Sequence, residues 1–500
     1  MSPPRGPEIV ERAPQHSARE ALRTSDGSFT YGELLDASGR VAASLLDGRA
    51  DLDGARICFR VAPGFAHIAV QWGIWRAGGI AVPLALSHPP PELEYVVRDA
   101  AAGLVIADGD GEGTCRTVAA AAAARLVRAE ELLAGARSAP LPTLEPGRPA
   151  MMVYTSGTTG RPKGVVSTHA NIAAQISALV EAWAWTPDDR ILLVLPLHHV
   201  HGIINVVGCA LWSGACCEIL PGFDADAAWE AIASGRLTLF MAVPTIYRRL
   251  IAAYDTAPSA RQATLRAGCA RIRLMVSGSA ALPIQTLQRW REITGHTLLE
   301  RYGMTEMGMA LSNPLHGERR PGSVGTPLPG VEVRLVTDAG APVDDGTPGE
   351  LEVRGANVFR EYWRRPDETR AAFRDGWFRT GDTAVFERGS YRLLGRSSVD
   401  ILKTGGYKVS ALEIEELLRE HPAITECAVV GVEDPEWGDR VCVAVELRPG
   451  ATLALDTLKL WAKDRLAPYK VPRDLRTVAA LPRNAMGKVV KPDVAKLFGA

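Results

Sequence analysis

From about residue 55 to residue 278 the chain repeats one pattern, and that pattern limits its fold more than any other feature. A short apolar run rich in β-branched residues is followed by a stretch of helical periodicity, then by another such run. "ARICFRVA" leads into "HIAVQWGIWRAGGIAVPL", which reads as strand, helix, strand. "EYVVRDAAAGLVIAD" repeats helix then strand. "DRILLVLPL", "RLTLFMAVP" and "RIRLMVSG" are further short β-rich runs with helical patterns between them. Alternation of this kind predicts an α/β fold of parallel-rich sheets with crossover helices. Nearer the start, "SFTYGELLDASGRVAASLL" predicts a capped amphipathic helix, and the alanine run 119–124 predicts a helix.

After about residue 325 the texture changes. "VEVRLVTD", "GELEVRG", "TAVFERG" and "SYRLLGR" are short strands between Gly, Pro and Asp turns, which predicts a β-rich subdomain. A boundary falls near Gly395–Asp400. Beyond it, "VSALEIEELLREHP" places Ser410 and Glu413 at capping-box spacing, puts Ile414, Leu417 and Leu418 on one face, and stops at Pro422. Strands "CAVVGV" and "VCVAVEL" and helix "TLKLWAKDRLAP" complete a small α+β domain. The expected division is 1–396, a hinge at 397–400, and 401–500.

Composition enters mainly through what it excludes. Five hundred residues imply two or more domains. The 56 basic and 57 acidic residues leave a net charge of −1, which gives no support to a nucleic-acid or polybasic membrane partner. No run approaches the roughly 18 apolar residues of a membrane span. The N-terminal stretch has no apolar export core, so the expectation is a cytoplasmic protein. The eight cysteines form no CxxC pair and are expected to be reduced, mostly buried thiols.

The stretch with the clearest chemistry is "VYTSGTTGRPKGVVSTH", Val153–His169. Glycines let a backbone turn tightly and bring its N–H groups to a ligand; hydroxyls add donors, and Lys163 adds a point charge. A strand, such a loop and then a helix can cradle a polyphosphate. The loop is not a Walker A sequence, because Gly164 follows Lys163 where a magnesium-binding Ser or Thr belongs. That disfavours a P-loop NTPase or kinase.

The loop resembles the phosphate loop of the acyl-adenylate-forming superfamily, which contains acyl-CoA synthetases, peptide-synthetase adenylation domains and luciferases. "PLHHVHG" (196–202), "VPTIYRRL" (243–250), "SGSAAL" (277–282), "ERYGMTE" (300–306), "GELEVRG" (349–355), "WFRTGD" (377–382), "GRSSVDILKTGGYKV" (395–409) and "PRNAMGKVVK" (482–491) match further motifs of that superfamily in order. The resemblance covers nearly the whole chain. It implies ATP, Mg2+ and coenzyme A as reaction partners and a small, mobile C-terminal lid.

It also implies roles for particular residues. Thr155, Ser156, Gly157, Thr158, Thr159, Gly160 and Lys163 would wrap the β- and γ-phosphates. Thr305 would hydrogen-bond the α-phosphate, and Glu306 would help hold Mg2+. Tyr302 would pack on adenine, flanked by Glu300 and Arg301, with Ser277, Gly278, Ser279, Ala280 and Ala281 beneath. Asp382 would accept from the ribose hydroxyls, with Arg396 nearby. Lys488 would bridge carboxylate and α-phosphate during attack. After pyrophosphate leaves, the lid would turn about Ser398, Val399 or Asp400. Gly405, Gly406, Tyr407 and Lys408 would then line a tunnel for the incoming thiol.

The segments 395–415 and 196–202 with "YGMTE" resemble the malonyl-CoA and methylmalonyl-CoA synthetase branch in particular. A second carboxylate on the substrate must be buried with a cation, and arginine suits it because its fork binds in two places. The resemblance places that role on Arg236, with His201 as a further candidate to face the pocket. Val200, Gly303 and Met304 would border the acyl group, and His199 would lie between the carboxylate site and the tunnel. The expected function is ATP-dependent ligation of malonate or methylmalonate to coenzyme A, supplying acyl-CoA-consuming synthases. A synthetase for another short acid, an enzyme loading a carrier-protein thiol, and a non-catalytic nucleotide binder are the competing readings.

Overall fold

The computed structural model describes residues 6–135, 139–155, 161–404, 407–484 and 487–500, without the side chain of Lys408. The chain divides into two compact units. One comprises residues up to Arg319 with 326–332 and 353–378; the other comprises 320–325, 333–352 and 379–500.

The first unit contains two sheets built on parallel cores. One is seven-stranded, in the order Glu361–Tyr362, Lys163–Thr168, Pro149–Thr155, Ile80–Pro83, Arg56–Arg60, Leu104–Ala107, Arg125–Arg128. Its strands are parallel from Pro149–Thr155 onward, and Lys163–Thr168 returns antiparallel after the loop. The other runs Glu20–Thr24, Cys216–Ile219, Arg190–Leu193, Leu239–Ala242, Leu274–Ser277, Leu299–Met304 in parallel, and Gly308–Ser312 turns back antiparallel. Leu239–Ala242 and Leu274–Ser277 are buried at every residue. Strands covered on both faces carry continuous apolar runs, which is why they are legible without alternation.

Local expectations largely match. Helix Tyr31–Leu46 starts from a capping box in which Thr30 and Glu33 satisfy each other's backbone N–H. The alanine run is helical only to Ala121; Ala122–Ala124 turn into the strand Arg125–Arg128. All eight cysteines are free and buried.

The second unit contains, from Arg379 on, the hairpin of Trp377–Glu387 and Ser390–Arg396, in which Asp382 pairs with Arg396. It also holds a five-stranded sheet. There Ile401–Thr404 pairs with Tyr407–Ser410, Ile424–Asp434 with Gly438–Leu447, and Asp474–Thr477 joins parallel to the last. Helix Ala411–Leu418 packs Ile414 and Leu418 into its core. Ser410 caps that helix by accepting from Glu413 N, but the Glu413 carboxylate reaches Lys470 at 2.6 Å instead of closing the box.

Candidate functional site

In parallel sheets ligands gather beyond the carboxyl ends of the strands, where loops and helix starts converge. In the first unit the expected residues occupy those ends. Ser277 closes Leu274–Ser277, with Gly278, Ser279 and Ala280 just beyond. Glu300, Arg301, Tyr302, Gly303 and Met304 lie on Leu299–Met304, and Thr305 and Glu306 follow in the turn. His199 and Val200 follow Arg190–Leu193 and lead into a π-helix, His201–Gly208. That wide helical form is often found at functional sites.

These elements converge on the guanidinium of Arg301. The residue is 3% exposed, yet its Nε and Nη2 have no hydrogen-bond partner among the described residues. Burial alone pulls its pKa down to about 9, so it remains a cation at neutral pH. Gly278 lies against it: a Cβ on that glycine would come within 2.5 Å of Arg301 Cζ. The same positive charge, together with burial, holds His201 neutral. His201 Nδ1 in turn lies 3.3 Å from Ser279 Oγ, and Ser279 has φ of 70°. A non-glycine residue in the left-handed region costs free energy, and such strain clusters at functional sites.

The arginine expected to meet the substrate, Arg236, lies elsewhere. It precedes Leu239–Ala242, at the amino edge of the sheet, six residues before Ala242, the register partner of Ser277. At the rise of a strand that is roughly 20 Å from the carboxyl ends. Its side chain is 48% exposed and pairs with Glu218, Nε to Oε1 at 3.2 Å and Nη2 to Oε2 at 3.3 Å. Glu218 is buried and also holds Arg190. Arg236 therefore partners a buried carboxylate at the far edge, and the expectation that it binds substrate is corrected.

His199 packs against His198 with the rings tilted and their centroids 4.1 Å apart, and His198 lies 5.9 Å from His88. Burial, with the like charge of His88, holds His199 down to about 4. It is neutral at physiological pH and suited to accept or donate a hydrogen bond. Val200 is buried, and Met304 Sδ contacts the Tyr302 hydroxyl at 3.6 Å. Gly303 permits a backbone crossing, since a Cβ there would sit 2.1 Å from Gly308 O.

Two residues missed in the sequence, Tyr362 and Glu368, meet Lys163, and Tyr362 also reaches Glu306. The Tyr362 hydroxyl donates to Glu306 Oε1 at 2.9 Å, and Lys163 Nζ lies 5.2 Å from the Tyr362 ring centroid. Lys163 also forms an ion pair with Glu368. Thr155 pairs with Lys163 across the two strands that flank the loop. Ser156, Gly157, Thr158, Thr159 and Gly160 lie outside the described residues. A magnesium ion takes one or two carboxylates and keeps water and phosphate oxygens as its other ligands. A single buried, hydroxyl-anchored Glu306 fits that demand. Among the described residues no group of three or more His, Cys, Asp or Glu is arranged to hold a metal unaided.

In the second unit, Asp382 and Arg396 face each other at 3.2 Å across the hairpin. Lys488 lies in the same unit. Burial and Arg396 lower its pKa, while Asp400 and Asp382 act in the opposite sense. Tyr407 is 55% exposed and stacks on Tyr469 at 4.2 Å. Gly405 and Gly406 lie outside the described residues, as does the side chain of Lys408.

Comparison with known proteins shows the family. Residues 9–363 match the model of the AMP-binding enzyme family, and 413–488 match the AMP-binding enzyme C-terminal domain. The mitochondrial malonate–CoA ligase ACSF3 of Mus musculus is 49% identical, over 98% of this chain and 90% of its own. A malonate–CoA ligase of Arabidopsis thaliana is 40% identical, over 96% and 86%. The crystal structure of ATP-bound MatB from Rhodopseudomonas palustris superposes with a TM-score of 0.91 at 34% identity, covering 99% of both chains.

Proposed function

The chain belongs to the AMP-binding enzyme family, and from that membership we propose that it joins malonate to coenzyme A at the expense of ATP. A malonate carboxylate oxygen attacks the α-phosphorus, the bond to the β-phosphate breaks, and pyrophosphate leaves. The sulfur of coenzyme A then attacks the acyl carbon. Its proton is lost, the bond to AMP breaks, and malonyl-CoA forms.

Both reactants of the first step are anions, so the site must neutralise charge and hold them in line. Lys163, and the loop it follows, take the terminal phosphates, and Thr305 takes the α-phosphate. Glu306, oriented by Tyr362, would hold Mg2+, which when bound supplies positive charge to the phosphate oxygens. Asp382 and Arg396 meet the ribose. Lys488 approaches the reacting carboxylate in the first step, and the segment Thr404–Val409 serves the thiol in the second. The lid is assigned to 401–500, with the hinge at 397–400.

The observation that carries a dicarboxylate is Arg301. A buried guanidinium whose Nε and Nη2 have no partner among the described residues is a costly feature unless a ligand completes it. The distal carboxylate of malonate has the charge and planar shape to do so. Val200 and Met304 limit the acyl group to a short chain, and His201 and Ser279 border it. A monocarboxylate would leave Arg301 uncompensated.

No helix among the described residues is long and apolar enough to cross a membrane. The mouse relative is named as mitochondrial; the cytoplasm is the compartment proposed for this chain, and fractionation of the source cells tests it. The function is tested by measuring CoA-dependent AMP release with acetate, propionate, malonate, methylmalonate and succinate. Malonate should give the highest kcat/KM, followed by methylmalonate. A preference for acetate or propionate would refute the dicarboxylate assignment. AMP release that needs a carrier protein and ignores coenzyme A would favour the carrier-loading reading.

A further inference from the structure

Three residues after Lys488 stands another lysine, its side chain largely enclosed, to which the scheme above gives no role. Lys491 Nζ lies 2.8 Å from Asp400 Oδ1 and 2.6 Å from Glu415 Oε1, and its side chain is 12% exposed. Both carboxylates are anchored elsewhere as well. Asp400 Oδ2 accepts from Arg396 N at 3.0 Å, its backbone N donates to Arg396 O at 2.8 Å, and its carbonyl accepts from Ala411 N at 2.7 Å. Glu415 Oε1 accepts from Val429 N at 2.8 Å. Lys491 therefore joins the segment bearing Lys488 to the end of the hinge, to helix Ala411–Leu418 and to strand Ile424–Asp434.

On the other side of the hinge, Ser397 N donates to Gly381 O at 2.9 Å, and its hydroxyl meets that of Thr383 at 2.9 Å. Ser397 is thus bound to the hairpin, while Asp400 is held both by Arg396 at the hairpin's end and by Ala411 and Lys491 of the lid. Between them Ser398 makes no hydrogen bond among the described residues, which places the freest torsions of the hinge there.

We propose that Lys491 is a positioning residue for Lys488: by occupying Asp400 and Glu415 it keeps Asp400 from capturing the Lys488 ammonium, and it locks the end of the hinge to the lid. The proposal rests on the ligase reading above. The charges that face Lys488 are Arg396 and Asp382 from the hairpin, Asp400 from the hinge, and Lys491 itself; Glu415 faces Lys491 from the helix. Removing Lys491 deletes a repelling charge and releases an attracting one, so both changes favour a protonated, misdirected Lys488.

The test measures each half-reaction separately in the full-length enzyme. Adenylation is followed by malonate-dependent pyrophosphate release across pH, and thioester formation by coenzyme A consumption from supplied malonyl-AMP. In Lys491→Met, adenylation kcat should fall on the order of 10- to 100-fold, as expected for a misplaced catalytic group. Its alkaline limb should move to higher pH, and thioester formation should stay within about twofold of wild type. Lys491→Arg should restore both rate and limb. Asp400→Asn, which keeps the shape but removes the attracting charge, should move the limb to lower pH. Limbs that coincide in all variants, or equal losses in both half-reactions that Lys491→Arg does not rescue, would overturn the proposal. If Lys491→Met does not fold, the Asp400→Asn shift decides: a limb that stays put or rises sinks the idea. Absence of pyrophosphate release in the wild type would instead refute the ligase reading itself.

Discussion

Replacing Arg301 with methionine should exchange function for stability. The wild-type guanidinium is buried with Nε and Nη2 unpaired among the described residues. Attraction between it and a carboxylate about 4 Å away, at an effective dielectric of about 20, is about 4 kcal/mol. Stripping one partner from a buried ion pair typically costs ~3–5 kcal/mol, because the remaining charge is left uncompensated. In kcat/KM for malonate that is a loss of roughly two to three and a half powers of ten. Propionate has no distal charge, so it should lose nothing and should gain from the apolar replacement. Without ligand the sign reverses. A buried cation with unpaired N–H groups destabilises the folded state, and methionine fills similar space without that penalty. Relief of about 1–2 kcal/mol would raise the melting temperature of the apo-protein by about 1–3 °C. Steady-state AMP release and calorimetry on the same preparations measure both. A variant that keeps malonate kinetics, or one that melts lower while losing malonate and propionate alike, would show that Arg301 is a structural group.

Lys488→Ala should reduce adenylation by orders of magnitude and leave thioester formation from malonyl-AMP largely intact; equal loss of both would contradict separate half-sites. Tyr362→Phe removes the donor that fixes Glu306. A hydrogen bond to a charged group contributes roughly 1.5–3 kcal/mol, so the magnesium concentration for half-maximal rate should rise about ten- to a hundredfold, with KM for malonate unmoved. Arg236→Ala should leave malonate kinetics unchanged, since the Arg236 side chain pairs with Glu218 at the far edge of the sheet; a steep rise in KM would reinstate it as a substrate ligand. Burial holds His67 and His169, like His199, down to about 4, and burial, with the three neighbouring histidines, holds His198 down to about 2. Below the ordinary value of 6.5 the unfolded chain takes protons that the folded chain refuses, so stability is full above pH 6.5 and falls toward pH 4. His169→Gln should flatten that fall by up to roughly 3 kcal/mol; an unchanged slope would show that His169 takes no part.

Much of this architecture could be read before any coordinates. Strands buried on both faces, such as Leu239–Ala242, carry unbroken apolar runs, and the Thr30–Glu33 box marks its helix start by spacing alone. The nucleotide motifs likewise sit in contiguous stretches. The substrate cation did not, because its place depends on which end of a strand a residue occupies, and neighbouring strands decide that. Arg236 and Arg301 flank or lie within parallel strands of one sheet, yet only Arg301 is near the carboxyl ends. A signal was available: side chains alternate along a strand, so a Tyr302 facing adenine puts Arg301 on the opposite face. Tyr362 was beyond local reading, since 56 residues separate it from Glu306. So was Lys491, whose partners at 400 and 415 are far along the chain.

A crystal structure with a non-hydrolysable malonyl-adenylate analogue tests most directly what Arg301 does. The distal carboxylate should lie in the plane of the Arg301 guanidinium, with two N–H···O contacts of about 2.7–2.9 Å, and His201 and Ser279 beside it. A carboxylate turned to solvent or held by another cation, with Arg301 still lacking a ligand contact, would contradict the account.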